Sequence, residues 1–304
     1  MAKKSKQKKE FFLLKYKNIV LILGVFFLLA VYIFPDLYTL YKNRYSVIES
    51  PRTEMKKLPK AIQKKLSHQS QTVSIRVPIL MYHYVEYVKD TRDTIRKSLN
   101  IVPSVFEEQI KTLKNDGYTF MTARELANVI SAVSTLPKKP ILITIDDGHW
   151  DVDTDILPIL KKYNIKATMY VIPGFTGGSD FMTKAQVEDV IKSELVEVGA
   201  HTVHHVSLKG KPLAIIESEV KESKKMLEDT YHINVSSFAY PNGAFDEASI
   251  KVVKDAGFTS SASTIPGIMQ SDQNRFFLYR LRPGRRVGQE LLDYLSQNVF
   301  THPY

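Results

Sequence analysis

Short apolar runs alternate with longer amphipathic segments from residue 75 onward, and this alternation constrains the fold more than any other feature. The apolar runs are typical of buried strands, at 77–84, 118–121, 141–145, 166–172, 195–200, 237–240, 259–263 and 279–282. Helices are predicted between them, at 105–115, 123–131, 155–163, 184–193, 216–231, 246–255 and 288–298. Ser104, Thr122 and Thr183 are the expected helix caps. Alternation of this kind implies parallel βαβ units, and about seven units favour an α/β barrel over an open sheet.

The strand predicted at 141–145 ends in two adjacent acids, Asp146 and Asp147, followed by Gly148. Functional sites in α/β folds lie at the carboxyl ends of parallel strands. Two adjacent carboxylates repel each other unless a cation or a shared proton relieves them. Because Asp-Asp-Gly is also ordinary turn chemistry, this stretch alone leaves a surface turn and a functional site equally open.

Two histidines, His201 and His205, follow the strand predicted at 195–200. They are four residues apart, so one turn of helix would place both on the same side. Two imidazoles and one carboxylate make a plausible open site for a divalent ion. His204 lies between them and is expected to point elsewhere. Since the acids and the histidines both follow buried strands, both pairs could reach one barrel mouth.

Three motifs resemble those of the polysaccharide deacetylases, the NodB-homology or carbohydrate esterase family 4 group. They are T-I-D-D-G at 144–148, H-T-V-H-H at 201–205 and F-A-Y-P-N-G at 238–243. The likeness runs from about Val77 to Ser296. The early P-I-L-M-Y-H at 78–83 is most similar to the branch that deacetylates poly-N-acetylglucosamine exopolysaccharides. The resemblance implies a distorted (β/α)7 barrel of NodB type and one bound divalent metal, zinc or a similar ion.

The resemblance also implies a role for each motif residue. By position, Asp147, His201 and His205 correspond to the metal ligands, and Asp146 corresponds to the catalytic base. A tetrahedral oxyanion needs a backbone donor, and the N–H of Asn242 is the candidate because the preceding proline has none.

The chain departs from the commonest family pattern at two places. Ala239 stands where many members carry the arginine that holds the catalytic aspartate, and either Arg280 or Arg282 could replace it. The late motif histidine that serves as general acid is also missing, since only His302 follows the third motif. In the exopolysaccharide branch the acid comes from the early Tyr-His motif, which makes His83 the candidate. A purely structural role for His83 stays open.

Two aromatic residues are candidates for substrate binding. Trp150, the only tryptophan, comes just after the acid pair and could stack on a sugar face or equally cover the barrel rim. Tyr240, in the third motif, is the second candidate.

The N-terminal region is typical of a membrane anchor. We predict a basic cytoplasmic tail at 1–17, a transmembrane signal-anchor at 18–41, a basic extracellular stalk at 42–74 and the catalytic domain at 75–304. Residues 18–35 carry no charge and would span about 27 Å as a helix, close to the bilayer core. The lysine excess before the span predicts the N-terminus inside and the bulk of the protein outside. A cleaved signal peptide is the alternative.

The chain is basic because of that N-terminal region. Residues 1–70 carry 15 Lys and Arg against 4 Asp and Glu, whereas the whole chain carries 42 against 32. The remainder is therefore near neutral, and we expect no nucleic-acid partner. The chain has no cysteine, which excludes disulfides, a thiolate metal site and a cysteine nucleophile.

The sequence thus predicts a single-pass cell-membrane enzyme. Its expected reaction is metal-dependent hydrolysis of N-acetyl groups, which are non-peptide carbon–nitrogen bonds, on an extracellular glycan that contains N-acetylglucosamine. The glycan could be an exopolysaccharide or peptidoglycan. An O-acetyl esterase of the xylan type and a catalytically silent glycan-binding protein are the alternatives.

Overall fold

A computed structural model of the protein describes residues 74–88, 92–132 and 134–297. The chain divides into two units, Met1–Ser50 and Pro51–Tyr304, and all described residues belong to the second. The predicted tail, transmembrane segment and stalk up to residue 73 lie outside the described residues, as does His302. Within the described ranges no helix is both long and apolar enough to cross a bilayer.

Strands and helices alternate through the described residues, as the sequence predicts. The strands are β1 (Ile75–Arg76), β2 (Ile79–Tyr82), β3 (Tyr84–Val85), β4 (Asn100–Ile101), β5 (Thr119–Met121), β6 (Pro140–Ile145), β7 (Ala167–Val171), β8 (Val196–Ala200), β9 (Ser237–Ala239), β10 (Ser260–Ala262) and β11 (Met269–Gln270). The helices are α1 (Thr94–Leu99), α2 (Pro103–Asn115), α3 (Ala123–Ile130), α4 (Leu157–Tyr163), α5 (Lys184–Lys192), α6 (Leu213–Tyr231), α7 (Glu247–Asp255) and α8 (Gly288–Ser296).

The main sheet is parallel and curls into a barrel. Its strands follow the order β10-β9-β8-β7-β6-β2, and β5 pairs with β6 as well. Residues 278–281 lie between the two outer strands, since Leu281 bridges Leu80 of β2 and Leu278 bridges Ala262 of β10. The prediction of a regular last strand at 279–282 is therefore wrong. The segment at 278–281 nevertheless closes the ring of strands.

The barrel is distorted where β5 enters it. Leu142 of β6 pairs with Ile79 of β2 and with Met121 of β5, so these neighbours lie on opposite edges of β6. Further along, Thr144 pairs with Thr168 of β7 on the edge that β5 has left. β5 thus separates the first half of β6 from β7, which agrees with the distorted NodB-type barrel that the motifs imply.

Local sequence signals account for most helix starts. Thr122 and Thr183 form capping boxes with Glu125 and Gln186 at the starts of α3 and α5, as predicted. The cap predicted at Ser104 is wrong, because α2 already begins at Pro103. Proline suits the first helical position, where no N–H donor is needed.

The helix predicted at 155–163 begins earlier and differently. A π-helical turn at Val152–Ile156 leads into α4, and Asp153 and Asp155 lie in this turn. Such turns occur frequently beside functional sites.

The β6 strand lies at the centre of the core. Ile141, Leu142, Ile143 and Ile145 are fully buried, which stabilises the fold by about 1.5–3 kcal/mol for each side chain. A strand buried on both faces cannot shift its register without placing polar groups in the core. This fixes the position at which the acids follow the strand.

Candidate active site

The predicted site residues come together at the carboxyl ends of the parallel strands. Asp146 and Asp147 follow β6, and His201 follows β8. His83 follows β2, which pairs with β6, and Asn242 lies in the turn after β9. One edge of the sheet therefore carries every motif that the sequence singled out.

Asp147, His201 and His205 form a compact three-residue cluster. The Oδ1 atom of Asp147 lies 3.4 Å from Nε2 of His201 and 3.4 Å from Nε2 of His205. The three potential ligand atoms lie within 4.8 Å of one another. Oδ1 is buried and has no hydrogen-bond partner among the described residues. A buried carboxylate oxygen without a donor fits a position that faces a cation.

The backbone fixes which nitrogen of His201 faces this cluster. Its Nδ1 donates to the carbonyl oxygen of Ala239 at 2.7 Å, so Nε2 is left with its lone pair toward Asp147. Metal-binding histidines commonly use their second nitrogen in this way. The cluster therefore has the donor atoms and the outer hydrogen bond that a divalent ion requires.

His205 reaches the cluster through a turn. The expected turn of helix is wrong: residues 201–205 contain no helix, and Thr202 and His205 have left-handed φ values of 60° and 56°. Glu219 of α6 holds the turn by accepting from the backbone N–H groups of Val203 and His204 at 2.9 Å each. The His204 ring also contacts Glu219 and is largely exposed, so it points away from the cluster as predicted.

Asp147 adopts a backbone conformation that is uncommon for residues other than glycine. Its φ is 77°, and Gly148 follows with φ 80°. Burial raises the pKa of Asp147, but contacts with His149 and His201 outweigh burial and hold it well below its usual value. The carboxylate is thus ionised and directed into the histidine cluster.

The carboxylate of Asp146 is held by Arg280. Arg280 donates two parallel hydrogen bonds to the carboxylate, from Nη1 to Oδ1 at 2.7 Å and from Nη2 to Oδ2 at 2.8 Å. Two further donors reach other partners: Nε bonds the carbonyl oxygen of Ser263 at 2.8 Å, and Nη1 bonds Oγ1 of Thr144 at 3.1 Å. Of the two arginines that the sequence left open, Arg280 therefore takes the place of the missing motif arginine.

The charge of Arg280 determines the ionisation of Asp146. Both side chains are buried, at 1% exposure for Arg280 and 2% for Asp146. Burial raises the pKa of Asp146, whereas the Arg280 charge and hydrogen bonds lower it, with a net shift below the usual value. The guanidinium cannot deprotonate in a protein, so Asp146 keeps its charge near neutral pH.

His83 lies beside Asp146. Its Nε2 is 3.9 Å from Oδ2 of Asp146, and its side chain is largely buried. Burial lowers the pKa of His83 to about 4, although the charges of Asp146 and Asp147 oppose this shift. The imidazole is therefore neutral near neutral pH.

The remaining predicted residues differ in their access to the site. The side chain of Tyr240 is fully buried, and its hydroxyl donates to the carbonyl oxygen of Phe276 at 3.1 Å. Its prediction as a substrate-binding residue is wrong, because the aromatic cluster below β9 holds the ring in the core. The Trp150 side chain is half-buried, and the backbone N–H of this residue donates to the carbonyl oxygen of Asp180 at 3.2 Å. Asn242 is exposed with φ 57°, and its side chain donates to Ser207.

Sequence reasoning overlooked one residue at the site, His149. Its Nε2 lies 3.3 Å from Oδ2 of Asp147, and its ring is 4% exposed. The signal was visible as a histidine directly after the Asp-Asp-Gly turn, but it fell outside the motifs. Asp147 therefore has imidazole nitrogens near both of its oxygens.

Comparison with known proteins agrees with this geometry. The family model for polysaccharide deacetylase matches residues 134–261, which include both acids and both cluster histidines. YxkH of Bacillus subtilis (strain 168), assigned to the polysaccharide deacetylases, is 30% identical over 239 residues, covering 76% of this chain and 82% of that protein. The poly-β-1,6-N-acetyl-D-glucosamine N-deacetylase of Staphylococcus aureus is 28% identical over 198 residues, covering 61% of this chain and 68% of the relative.

Solved structures show the same fold. The Streptococcus pyogenes deacetylase PplD, determined in complex with acetate, superimposes with a TM-score of 0.68 at 28% identity, over 74% of this chain and all of PplD. BC0361, a polysaccharide deacetylase from Bacillus cereus, gives a TM-score of 0.63 at 25% identity, over 74% of this chain and 70% of its own. With its barrel, its acid pair and its histidine cluster, this chain belongs to the polysaccharide deacetylase family.

Proposed function

We propose that this protein is a membrane-anchored, metal-dependent deacetylase that removes N-acetyl groups from an extracellular glycan containing N-acetylglucosamine. The observation that carries the proposal is the division of the acid pair: Oδ1 of Asp147 faces His201 and His205, while Asp146 is bound by Arg280. One carboxylate is thereby suited to hold a divalent ion, and its neighbour is suited to move a proton.

Asp147, His201 and His205 would hold the ion, zinc or a similar divalent metal. Such an ion supplies Lewis-acid polarisation of the acetyl carbonyl and lowers the pKa of a water molecule beside it. The two nitrogens and one oxygen leave positions open for water and substrate, as catalytic zinc sites require. The protein's part is to fix the ligand directions, which the bond from His201 to Ala239 and the turn at His205 accomplish.

Asp146 is placed to act as the general base. It is ionised, and its orientation is fixed by two hydrogen bonds from Arg280. A carboxylate in this position can accept the proton of the attacking water. The backbone N–H of Asn242, in the turn after β9, is our candidate for stabilising the oxyanion that develops on the acetyl group.

His83 is suited to return the proton to the leaving amine. Because the pKa of His83 is lowered to about 4, the ring begins the cycle neutral. It must therefore receive a proton before it can donate one. Oδ2 of Asp146 lies 3.9 Å away, so the proton that Asp146 accepts has a short path to His83. We infer that the two residues pass one proton from water to amine.

The substrate assignment rests on the relatives and on the N-terminus. The matching Staphylococcus aureus enzyme acts on poly-β-1,6-N-acetyl-D-glucosamine, which supports an N-acetylated exopolysaccharide as substrate. The uncharged segment at 18–35 supports attachment to the cell membrane with the catalytic domain outside. Peptidoglycan is a second glycan with the same acetamido group. Trp150, which is half-buried just past the acid pair, is our candidate for stacking on a sugar ring of either glycan.

An O-acetyl esterase remains the second enzymatic candidate, because the same groups can attack an ester. The silent glycan-binding alternative is weakened, since its best support was the missing motif arginine. Arg280 supplies that charge to Asp146 from another part of the chain.

The experiment compares acetate release by the full-length protein, purified in detergent, from four substrates. These are β-1,6 and β-1,4 N-acetylglucosamine oligomers, peptidoglycan and acetylated xylan. We expect release from a substrate with N-acetyl groups, loss of activity with a chelator and recovery on adding Zn²⁺. Release from acetylated xylan alone would favour the esterase. Glycan binding without acetate release from any substrate would refute the proposal.

A further inference from the structure

Helix α6 carries an acid at a position where an amphipathic pattern places apolar residues. The helix buries one stripe, and the other members of that stripe are Ile216, Val220, Ser223 and Leu227. Glu219 follows Ile216 by three residues, so it lies on the same buried face. Only 9% of Glu219 is exposed. A buried carboxyl group destabilises the fold unless hydrogen-bond donors replace the water that it has lost.

These donors lie in the turn that carries His205. One oxygen of Glu219, Oε2, accepts the consecutive backbone N–H groups of Val203 and His204 at 2.9 Å each. The other oxygen, Oε1, lies 2.9 Å from Nδ1 of His204, but that imidazole is largely exposed. The two backbone bonds are therefore the less exposed part of the contact, and they require only an acceptor at the position of Oε2.

The backbone of this turn is unfavourable by itself. Thr202 and His205 have left-handed φ values of 60° and 56°, which β-branched and bulky residues seldom adopt. Conformations of this kind persist where the surrounding structure fixes them. Within the turn, the N–H of Val206 donates to Oγ1 of Thr202 at 3.2 Å, and the N–H of Gly174 donates to the carbonyl oxygen of Val203 at 3.1 Å. The two bonds to α6 anchor the middle of the turn to a long helix.

The two histidines of the proposed ligand set are held differently. His201 directly follows β8, and its ring bonds the carbonyl oxygen of Ala239 at 2.7 Å. His205 lies beyond the turn, and its partly exposed ring contacts Asp147 through Nε2. The direction of the His205 ring therefore depends on the backbone of the turn. We propose, on the basis of the metal site in the proposed function, that Glu219 is a positioning residue whose two backbone hydrogen bonds keep Nε2 of His205 directed at the ion.

This role has a measurable consequence for metal affinity. Outer groups that orient a ligand typically contribute 10- to 100-fold in metal affinity. Glu219→Met fills the α6 stripe without an acceptor, and Glu219→Ala is a second variant that leaves room for water. Glu219→Gln carries no charge but keeps an oxygen that can accept both N–H groups. Glu222→Met is the matched control, because that acid is exposed on the same helix.

The test titrates the full-length, metal-free protein in detergent with Zn²⁺. We expect Glu219→Met and Glu219→Ala to bind Zn²⁺ about 10- to 100-fold more weakly than the unaltered protein. Glu219→Gln should keep most of the affinity, and Glu222→Met should keep all of it. His205→Ala should also bind more weakly, and adding Glu219→Met to it should change the affinity no further, because the ring that Glu219 directs is already gone.

Three results would overturn the inference. The first is an unchanged Zn²⁺ affinity in Glu219→Met or Glu219→Ala protein that retains its thermal unfolding transition. The second is an equal loss of affinity in Glu219→Gln, which would make Glu219 a distant charge and not a hold on the turn. The third is a multiplied loss in the double variant, which would show that Glu219 acts independently of His205. If the unaltered protein itself binds no divalent ion, the proposed metal dependence fails, and this outcome is distinct from all three.

Discussion

Asp146 and Asp147 are neighbours in the chain, yet their carboxylates have opposite surroundings. Asp146 is paired with one guanidinium, whereas Asp147 is surrounded by the imidazoles of His149, His201 and His205. Asp147 leaves the strand direction with a left-handed φ of 77°, so one residue step is enough to separate the two environments. The chemical role of each acid is therefore set by its partners and not by its residue type.

The two kinds of partner differ in what they can exchange. Arg280 carries a permanent charge, so Asp146 has a fixed counter-ion and remains free to take up a proton. An imidazole can offer a lone pair, and this allows His201 and His205 to share a cation with Asp147. The proposed base thus lies beside a partner with a permanent charge. The proposed metal ligand lies beside partners that can bind the same ion.

Neutralising each acid in turn is the most direct test of whether Asp146 and Asp147 have separate roles. Asp146→Asn should lower kcat for acetate release by about 10²- to 10⁴-fold, because the general base is lost, while Zn²⁺ affinity is retained. Asp147→Asn should lower Zn²⁺ affinity and activity together, because Oδ1 is the carboxylate atom of the ligand set. Acetate-release kinetics and Zn²⁺ titration check both variants. Equal loss of Zn²⁺ affinity in the two variants would contradict the division of roles.

Removing the Arg280 guanidinium tests, through the free energy of unfolding, how strongly the fold depends on the counter-ion of Asp146. Arg280→Met leaves the Asp146 carboxylate buried without its counter-ion and should lower the free energy of unfolding by about 3–5 kcal/mol. The double variant Asp146→Asn/Arg280→Met should cost less than the sum of the two single variants. Urea unfolding measures these differences. Arg285→Met is the control, because that arginine is exposed and should change stability by less than about 1 kcal/mol.

The proposed proton transfer from Asp146 to the leaving amine is tested at His83. His83→Gln should lower kcat/KM on N-acetylglucosamine oligomers by about 10²-fold or more, because the leaving amine loses its proton donor. Zn²⁺ affinity should stay unchanged, since His83 lies beside Asp146 and outside the ligand set. His204→Gln, which alters an exposed imidazole, is the comparison variant. Unchanged kinetics in His83→Gln would leave that residue with a structural role only.

The smallest effect is expected at Asp151, a third acid near the site. It is fully buried and accepts the backbone N–H of Val85 at 2.5 Å, while its second oxygen has no partner among the described residues. Burial raises its pKa from 3.8 to about 6, with the Glu86 charge adding to the rise. A raised carboxyl pKa stabilises the fold below the unfolded value, and this contribution is lost as pH rises through the folded value.

Asp151→Asn keeps an acceptor for Val85 and removes the ionisation. As pH rises from 5 to 8, the free energy of unfolding of the variant should therefore increase by about 1–2 kcal/mol relative to that of the unaltered protein. Urea unfolding at the two pH values checks the sign. A gain that shrinks as pH rises would show that Asp151 is not held above its usual pKa.

The sequence predicted the alternation of elements and the position of the acid pair because both depend on local patterns. A run of apolar residues ending in Asp146 and Asp147 marks a strand end without any knowledge of the rest of the chain. The proximity of Asp147 to His201 also followed, since the carboxyl ends of parallel strands share one edge of the sheet. The family motifs supplied the order of these pieces.

Tertiary contacts account for what the sequence could not decide. No local signal distinguishes Arg280 from Arg282, and the choice depends on how residues 278–281 fit between β2 and β10. The turn that brings His205 back to Asp147 depends on Glu219, which lies in α6, 16 residues beyond Val203. Tyr240 is aromatic and was therefore a candidate for binding sugars, but the packing of its ring under β9 keeps it from the surface.

The origin of Arg280 in the segment that closes the barrel has a consequence for the order of synthesis. All three groups of the proposed ligand set, Asp147, His201 and His205, have been synthesised once residue 205 has been added. The counter-ion of Asp146 comes 75 residues later along the chain, in the segment that closes the ring. A nascent chain can therefore hold all three proposed metal ligands while Asp146, the proposed base, is still unpaired. Completion of the barrel and pairing of Asp146 with its counter-ion are one event.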